Sequence, residues 1–75
     1  MPAVPAHQRI ADHLRARILS GDLTPGTQLP SQRELAAAWH CSLQPVKAAL
    51  LRLEMEGLIE SRQGVGAFVV QPTTD

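Results

Sequence analysis

Two helix-start signals stand about three helical turns apart in this chain, and together they restrict what it can build. Ser31-Gln32-Arg33-Glu34 is a capping box. The serine oxygen accepts from the backbone N–H of Glu34 while the glutamate side chain reaches back to Ser31. Ser42 opens the second start, with Pro45 at its third helical position, where a missing N–H costs no intrahelical bond. That register leaves the Ser42 hydroxyl to cap the Gln44 N–H. Leu35, Ala36 and Trp39 give the first of these helices an apolar face, with Trp39 expected between the two helices. Val46, Ala49, Leu50 and Leu53 give the second its buried stripe, to about Glu56, and Gly57 ends it. Only His40 and Cys41 separate the two, which leaves room for a tight turn and nothing more.

Upstream, Ile10, Leu14 and Ile18 recur at helical spacing beside Ala11, predicting a helix from about Ala6 to Ser20. Gly21 stands where a helix-ending glycine belongs, and Leu23-Thr24-Pro25-Gly26 reads as a turn. Downstream the period changes. Leu58 to Arg62 and Ala67 to Val70 are strand-length segments around Gln63-Gly64-Val65-Gly66, a hairpin tip. The order is α-α-α-β-β: mainly α with a small β-hairpin, a winged helix-turn-helix. With 75 residues, one domain over 1–75 is expected, its ordered core about 6–70. Residues 71–75 are polar and read as a frayed tail or the start of a linker.

Several function classes fall away. His40 beside Cys41, with His7 and His13 elsewhere, lacks the spaced pairs of a structural zinc site, so no metal is expected. Cys41 reads as a small buried apolar group in the turn. The serines have local cap or strand explanations, and no histidine–carboxylate pair is suggested; no cofactor and no enzyme are expected. One cysteine excludes an intrachain disulfide, and no apolar run is long enough to span a membrane, which together point to a cytoplasmic protein. Seven Lys and Arg balance seven Asp and Glu, so composition gives no support for nucleic acid; only the distribution of charge could.

The arrangement nevertheless suits a duplex. A helix N-terminus fits the major groove, and exposed N–H groups at the two helix starts, Ser31 and Ser42, can face phosphate. At about 100° per residue, Gln44 and Lys47 lie away from the Val46/Leu50/Leu53 stripe. Gln44 can pair with an adenine edge, and Lys47 with a guanine edge or a phosphate.

The segment Gly21-Asp22-Leu23-Thr24-Pro25-Gly26-Thr27-Gln28-Leu29-Pro30-Ser31-Gln32-Arg33-Glu34-Leu35-Ala36 resembles the signature of the GntR family of bacterial repressors. Val46 to Leu50, Leu53 to Ile59 and Arg62 to Val69 continue the resemblance in order, so it covers roughly residues 8 to 70. It implies a winged helix-turn-helix binding operator DNA as a dimer. The operator would be an inverted repeat, with the recognition helix, about 42–56, in the major groove and the wing, 62–66, in the minor groove. Transferred by position, the family's DNA contacts fall on Arg33, on Ser42, Leu43, Gln44, Pro45 and Lys47, and on Arg62, Gln63 and Gly64. Two positions depart from the pattern. Leu43 stands where arginine is common and can offer only an apolar surface, such as a partner for a thymine methyl. His40 replaces the turn glycine and has to accept a positive φ. Family members usually add a C-terminal effector-binding and dimerising domain; no effector site is expected within these residues.

The rival reading is a winged helix that binds a protein partner through the outer face of helix three. Leu51 and Met55 project there, opposite the core stripe, and Leu43, an apolar residue in place of a cation, and the neutral charge favour it as well.

Overall fold

The computed structural model describes residues 4–62 and 64–70. Helix α1 spans Ala6–Leu19, led in by Pro5, whose carbonyl accepts from the Gln8 and Arg9 N–H groups at 3.0 and 3.1 Å. Its buried stripe is Ile10, Ala11, Leu14 and Ile18, the spacing expected of one helical face. Helix α2 covers Gln32–Ala38 and α3 covers Leu43–Met55. Strands β1, Ile59–Arg62, and β2, Gly66–Val69, pair antiparallel with Ile59 opposite Val69 and Arg62 opposite Gly66. The fold is three helices and a wing.

One apolar core joins these elements. α1 packs chiefly on α3, α2 closes against α3, and the hairpin folds back on the end of α3. Val46 and Leu53 from α3, Ile10 from α1 and Val69 from β2 are fully enclosed at its centre. Leu29, Leu35, Leu58 and Ala67 complete it, with Leu23, Trp39 and Cys41 half-buried at its margin.

The structure differs from these expectations in several details. The turn lies one residue later than expected, at Thr24–Thr27, closed by Thr27 N–H to the Thr24 carbonyl at 3.1 Å, with Gly26 at φ 91°. This is the type II arrangement, which needs a positive φ at its third residue. After the turn the chain does not leave the sheet. Gly26 and Leu29 donate to the Val69 and Ala67 carbonyls at 2.7 and 2.8 Å, and Val69 donates to Thr27 at 2.9 Å. A third extended segment therefore lies beside β2, bridged at Gln28 and Phe68. Its sequence does not read as a strand, because Pro25, Gly26 and Pro30 bracket so short a run.

Trp39 lies at the margin of the core and reaches α1. It ends α2 half-buried, its ring edge-on to His13 of α1 at 5.4 Å and beneath the Arg9 guanidinium at 5.7 Å. The Ser42 hydroxyl makes no capping bond, although Ser42 is the N-cap residue and Pro45 falls at the third helical position as counted. Residues 71–75 and Gln63 lie outside the described residues.

Candidate nucleic-acid interface

The helix-turn-helix is closed by backbone bonds. Cys41 N–H donates to the Ala36 carbonyl at 3.0 Å and His40 N–H to Ala37 at 3.3 Å. His40 sits at φ 53°, the left-handed value its position in the turn requires. α2 starts as the capping signal specified, with Ser31 Oγ accepting from the Glu34 N–H at 3.1 Å. The return bond of the box is not made, and among the described residues the Glu34 carboxylate takes part in no hydrogen bond or ion pair.

Every described candidate residue reaches the surface, Pro45 only partly. Ser31 and Arg33 lie at the exposed start of α2. Ser42 begins the α3 entry, followed by Leu43 at 38% exposure, then Gln44 and Lys47. Gln44 and Lys47 are three residues apart and so share a helical face. Further along α3, Leu51 and Met55 are 58% and 79% exposed, on the side opposite the core stripe.

The neutral total hides an uneven distribution of charge. Arg15 is bound by Asp12 at 2.6 Å and Glu56 at 2.7 Å, Arg17 by Asp22 at 2.8 Å, Arg52 by Glu56 at 3.5 Å, and Arg62 by Glu60 at 3.6 Å. Among the described residues, Arg9, Arg33 and Lys47 have no acidic partner within 4 Å. Two of these three, Arg33 and Lys47, lie on the two helices of the helix-turn-helix. Asp12 and Glu56 are drawn together on the α1–α3 flank. There the hydrogen bonds Arg15 donates to Glu56 and then to Asp12 raise its pKa, and Arg15 in turn holds the Glu56 carboxyl below its ordinary range. The sequence-wide sum cannot reveal this, because it depends on which acids reach which bases.

At the wing, the Arg62 guanidinium lies 5.4 Å from the centre of the Phe68 ring, and Gly64 has φ 79°. An open groove of about 1040 Å³ separates the wing from the start of α2, with Gln28, Ser31, Arg33, Arg62, Gly64 and Val65 on its walls. Gln28 carries no signal in the sequence. Its side-chain amide donates to the Val65 carbonyl at 2.9 Å, and no local pattern announces a bond between residues so distant in the chain. Arg9 is equally silent there; only its place on Trp39 distinguishes it from a solvated surface cation.

The family model for bacterial regulatory proteins of the gntR family matches residues 6–69. The chain belongs to this family. Its three helices and hairpin are the winged helix-turn-helix of GntR DNA-binding domains. The transcriptional repressor NagR of Bacillus subtilis is 38% identical over 69 residues, covering 92% of this chain and 28% of NagR. The mannosyl-D-glycerate transport/metabolism system repressor MngR of Escherichia coli is 37% identical over 65 residues, 87% of this chain and 27% of MngR. Among solved structures, the AraR DNA-binding domain in complex with operator ORR3 superposes with a TM-score of 0.87 at 26% identity, covering 92% of this chain and 83% of that one. This GntR chain spans 14% to 28% of the length of the curated relatives it matches. None of its described helices is long and apolar enough to cross a membrane.

Proposed function

We propose that the chain is the operator-reading domain of a cytoplasmic transcriptional repressor, with no catalytic activity, cofactor or effector site of its own. The observation that carries this reading is the pair of uncompensated cations, Arg33 and Lys47, on the two helices of the helix-turn-helix, with Gln44 exposed beside Lys47. α3 enters the major groove by its first turns. Gln44 reads an adenine edge, Lys47 a guanine edge or phosphate, and Leu43 the methyl of a thymine. Arg33 takes a backbone phosphate, with Ser31, Ser42 and Pro45 lining the approach, while Arg62, Gln63 and Gly64 carry the wing to the minor groove.

A dimer on an inverted repeat fits this small surface, because one domain supplies few phosphate contacts and duplication multiplies them. Half-sites then lie about one helical turn apart or a multiple of it. Repression is steric: the occupied operator excludes polymerase. NagR and MngR are named as repressors, and AraR was solved on operator DNA, which supports the same assignment here.

Selection from random duplex DNA at low salt, with the enriched sequences retested as salt rises, tests the proposal. Enrichment of an inverted repeat, with affinity falling log-linearly in salt, is the expected result. A folded protein that enriches nothing would transfer the assignment to the second reading, a protein partner on the outer face of α3. The exposure of Leu51 and Met55 is the observation that favours that alternative.

A further inference from the structure

We propose that Gln28 is the positioning residue of the wing: its side-chain amide latches the hairpin tip to the body of the domain and sets the width of the groove between wing and α2. The consequence for DNA rests on the function proposed above; the latch itself does not.

The backbone of Gln28 is firmly held. It bridges to Phe68, its neighbour Leu29 is buried in the core, and ladder bonds from Gly26 and Leu29 to β2 flank it on either side. From this anchor Nε2 crosses to the Val65 carbonyl at 2.9 Å, in the turn of the hairpin. Within the described part of the tip the other bond is local, Val65 N–H to the Arg62 carbonyl at 3.1 Å, and it cannot fix the tip relative to the body. A two-stranded hairpin is marginal alone, and Gly64 and Gly66 loosen this one further.

Gly66 adds a second observation on the same amide. A Cβ built on it would lie 3.0 Å from Gln28 Nε2, and its φ of 137° already disfavours any side chain. The amide thus lies directly over the glycine. Position 66 is open because the latch crosses it, and the latch reaches Val65 because position 66 is open. A wing held this way meets DNA already ordered, so its ordering entropy is not charged against binding.

Because the bond is exposed, its loss should leave global stability nearly unchanged while freeing the tip. The test is backbone ¹⁵N relaxation on the free 75-residue chain as wild type, Gln28→Ala and Gln28→Glu, alongside binding to a labelled random-sequence duplex at low salt. Wild-type Val65 and Gly66 should show order parameters near the rigid value of about 0.85, falling toward about 0.6 in both variants, since a glutamate cannot donate to the carbonyl. Duplex affinity of Gln28→Ala should weaken about threefold to tenfold, the scale of one hydrogen bond. In an Arg62→Ala background the same change should cost almost nothing further, because both act through the wing.

Unchanged order parameters in Gln28→Ala, or rigidity retained in Gln28→Glu, overturn the latch whatever DNA does. Lost order with unchanged affinity overturns its role in binding, as do effects that simply multiply with Arg62→Ala. Failure of the wild type to bind any duplex would instead overturn the DNA reading, with the order parameters still deciding the latch.

Discussion

Arg15 grips Glu56 with two parallel hydrogen bonds, Nε to Oε1 and Nη2 to Oε2, both 2.7 Å, tying the middle of α1 to the residue that caps α3. This fork-to-fork geometry is the strong form of an arginine–carboxylate contact. It also holds the carboxylate on the flank where α1 and α3 meet, among groups that take no part in the proposed interface. The same pairing that ties two helices together leaves the helix-turn-helix cations unopposed.

The Glu56 carboxyl titrates lower folded than unfolded, so its contribution is present above the ordinary carboxylate range and is lost as pH falls through the lowered value. Both side chains are partly exposed, at 24% and 33%, so solvent screening limits the contribution to about 1 kcal/mol or less. Glu56→Gln should destabilise the domain by that amount near neutral pH. At an acid pH below that lowered value the difference should shrink toward zero, because the wild-type carboxyl is then protonated. Urea unfolding of both proteins at the two pH values checks it; a penalty constant with pH would exclude the ion pair as its source.

Lys47→Ala with Arg33→Ala should abolish specific binding to a selected duplex while the circular dichroism spectrum stays native, since both side chains are exposed. Each phosphate contact removed should lower the salt slope of log affinity by about one. Affinity measured across a salt series is the readout. Survival of binding would place the interface elsewhere on the domain.

Leu43→Arg places a cation at the exposed entry of α3. General duplex affinity should rise and the salt slope should steepen by about one. Any preference for thymine at the base facing position 43 should weaken, because the apolar contact to its methyl is gone. Repeating the duplex selection with the variant measures both effects. An unchanged slope and unchanged preference would mean that Leu43 faces no nucleic acid.

His40 at φ 53° bears the strain of a side chain in the left-handed region. His40→Gly should relieve it and stabilise the domain by about 0.5 kcal/mol, the strain relief exceeding glycine's extra unfolded-state entropy. Thermal unfolding reads this as a higher midpoint. A lower midpoint would mean that contacts of the imidazole outweigh the strain.

Leu53 is wholly enclosed at the centre of the core, and Leu53→Ala should cost about 2–5 kcal/mol. A domain of this size has roughly 3–5 kcal/mol to lose, so the variant should be largely unfolded near room temperature. Far-ultraviolet circular dichroism against temperature decides it; a cooperative native transition would show that the core collapses to fill the gap.

Elements governed by neighbouring residues are legible in the order of the amino acids. The cap at Ser31 depends on an N–H three residues away, and Pro45 on its place in the first turn of α3. The buried stripes of α1 and α3 follow from helical period alone, and the exposure of Gln44 and Lys47 from the same count. Those energies are local, so residue order carries them.

Tertiary structure alone decided which distant groups meet. Burial of Leu29 and Val69 brings residues 26–29 beside β2, and only then can Gln28 reach Val65. Packing of α1 on α3 brings Arg15 to Glu56 and so determines which cations remain unpaired; it likewise sets Trp39 against His13 and Arg9. The Ser42 hydroxyl departs from expectation although its cap is local, because a suitable residue at the cap position does not guarantee that its side chain turns toward the helix. Caps, turns and periods are energies summed along the chain, whereas the latch and the charge pattern arise from contacts that exist only once the core has closed.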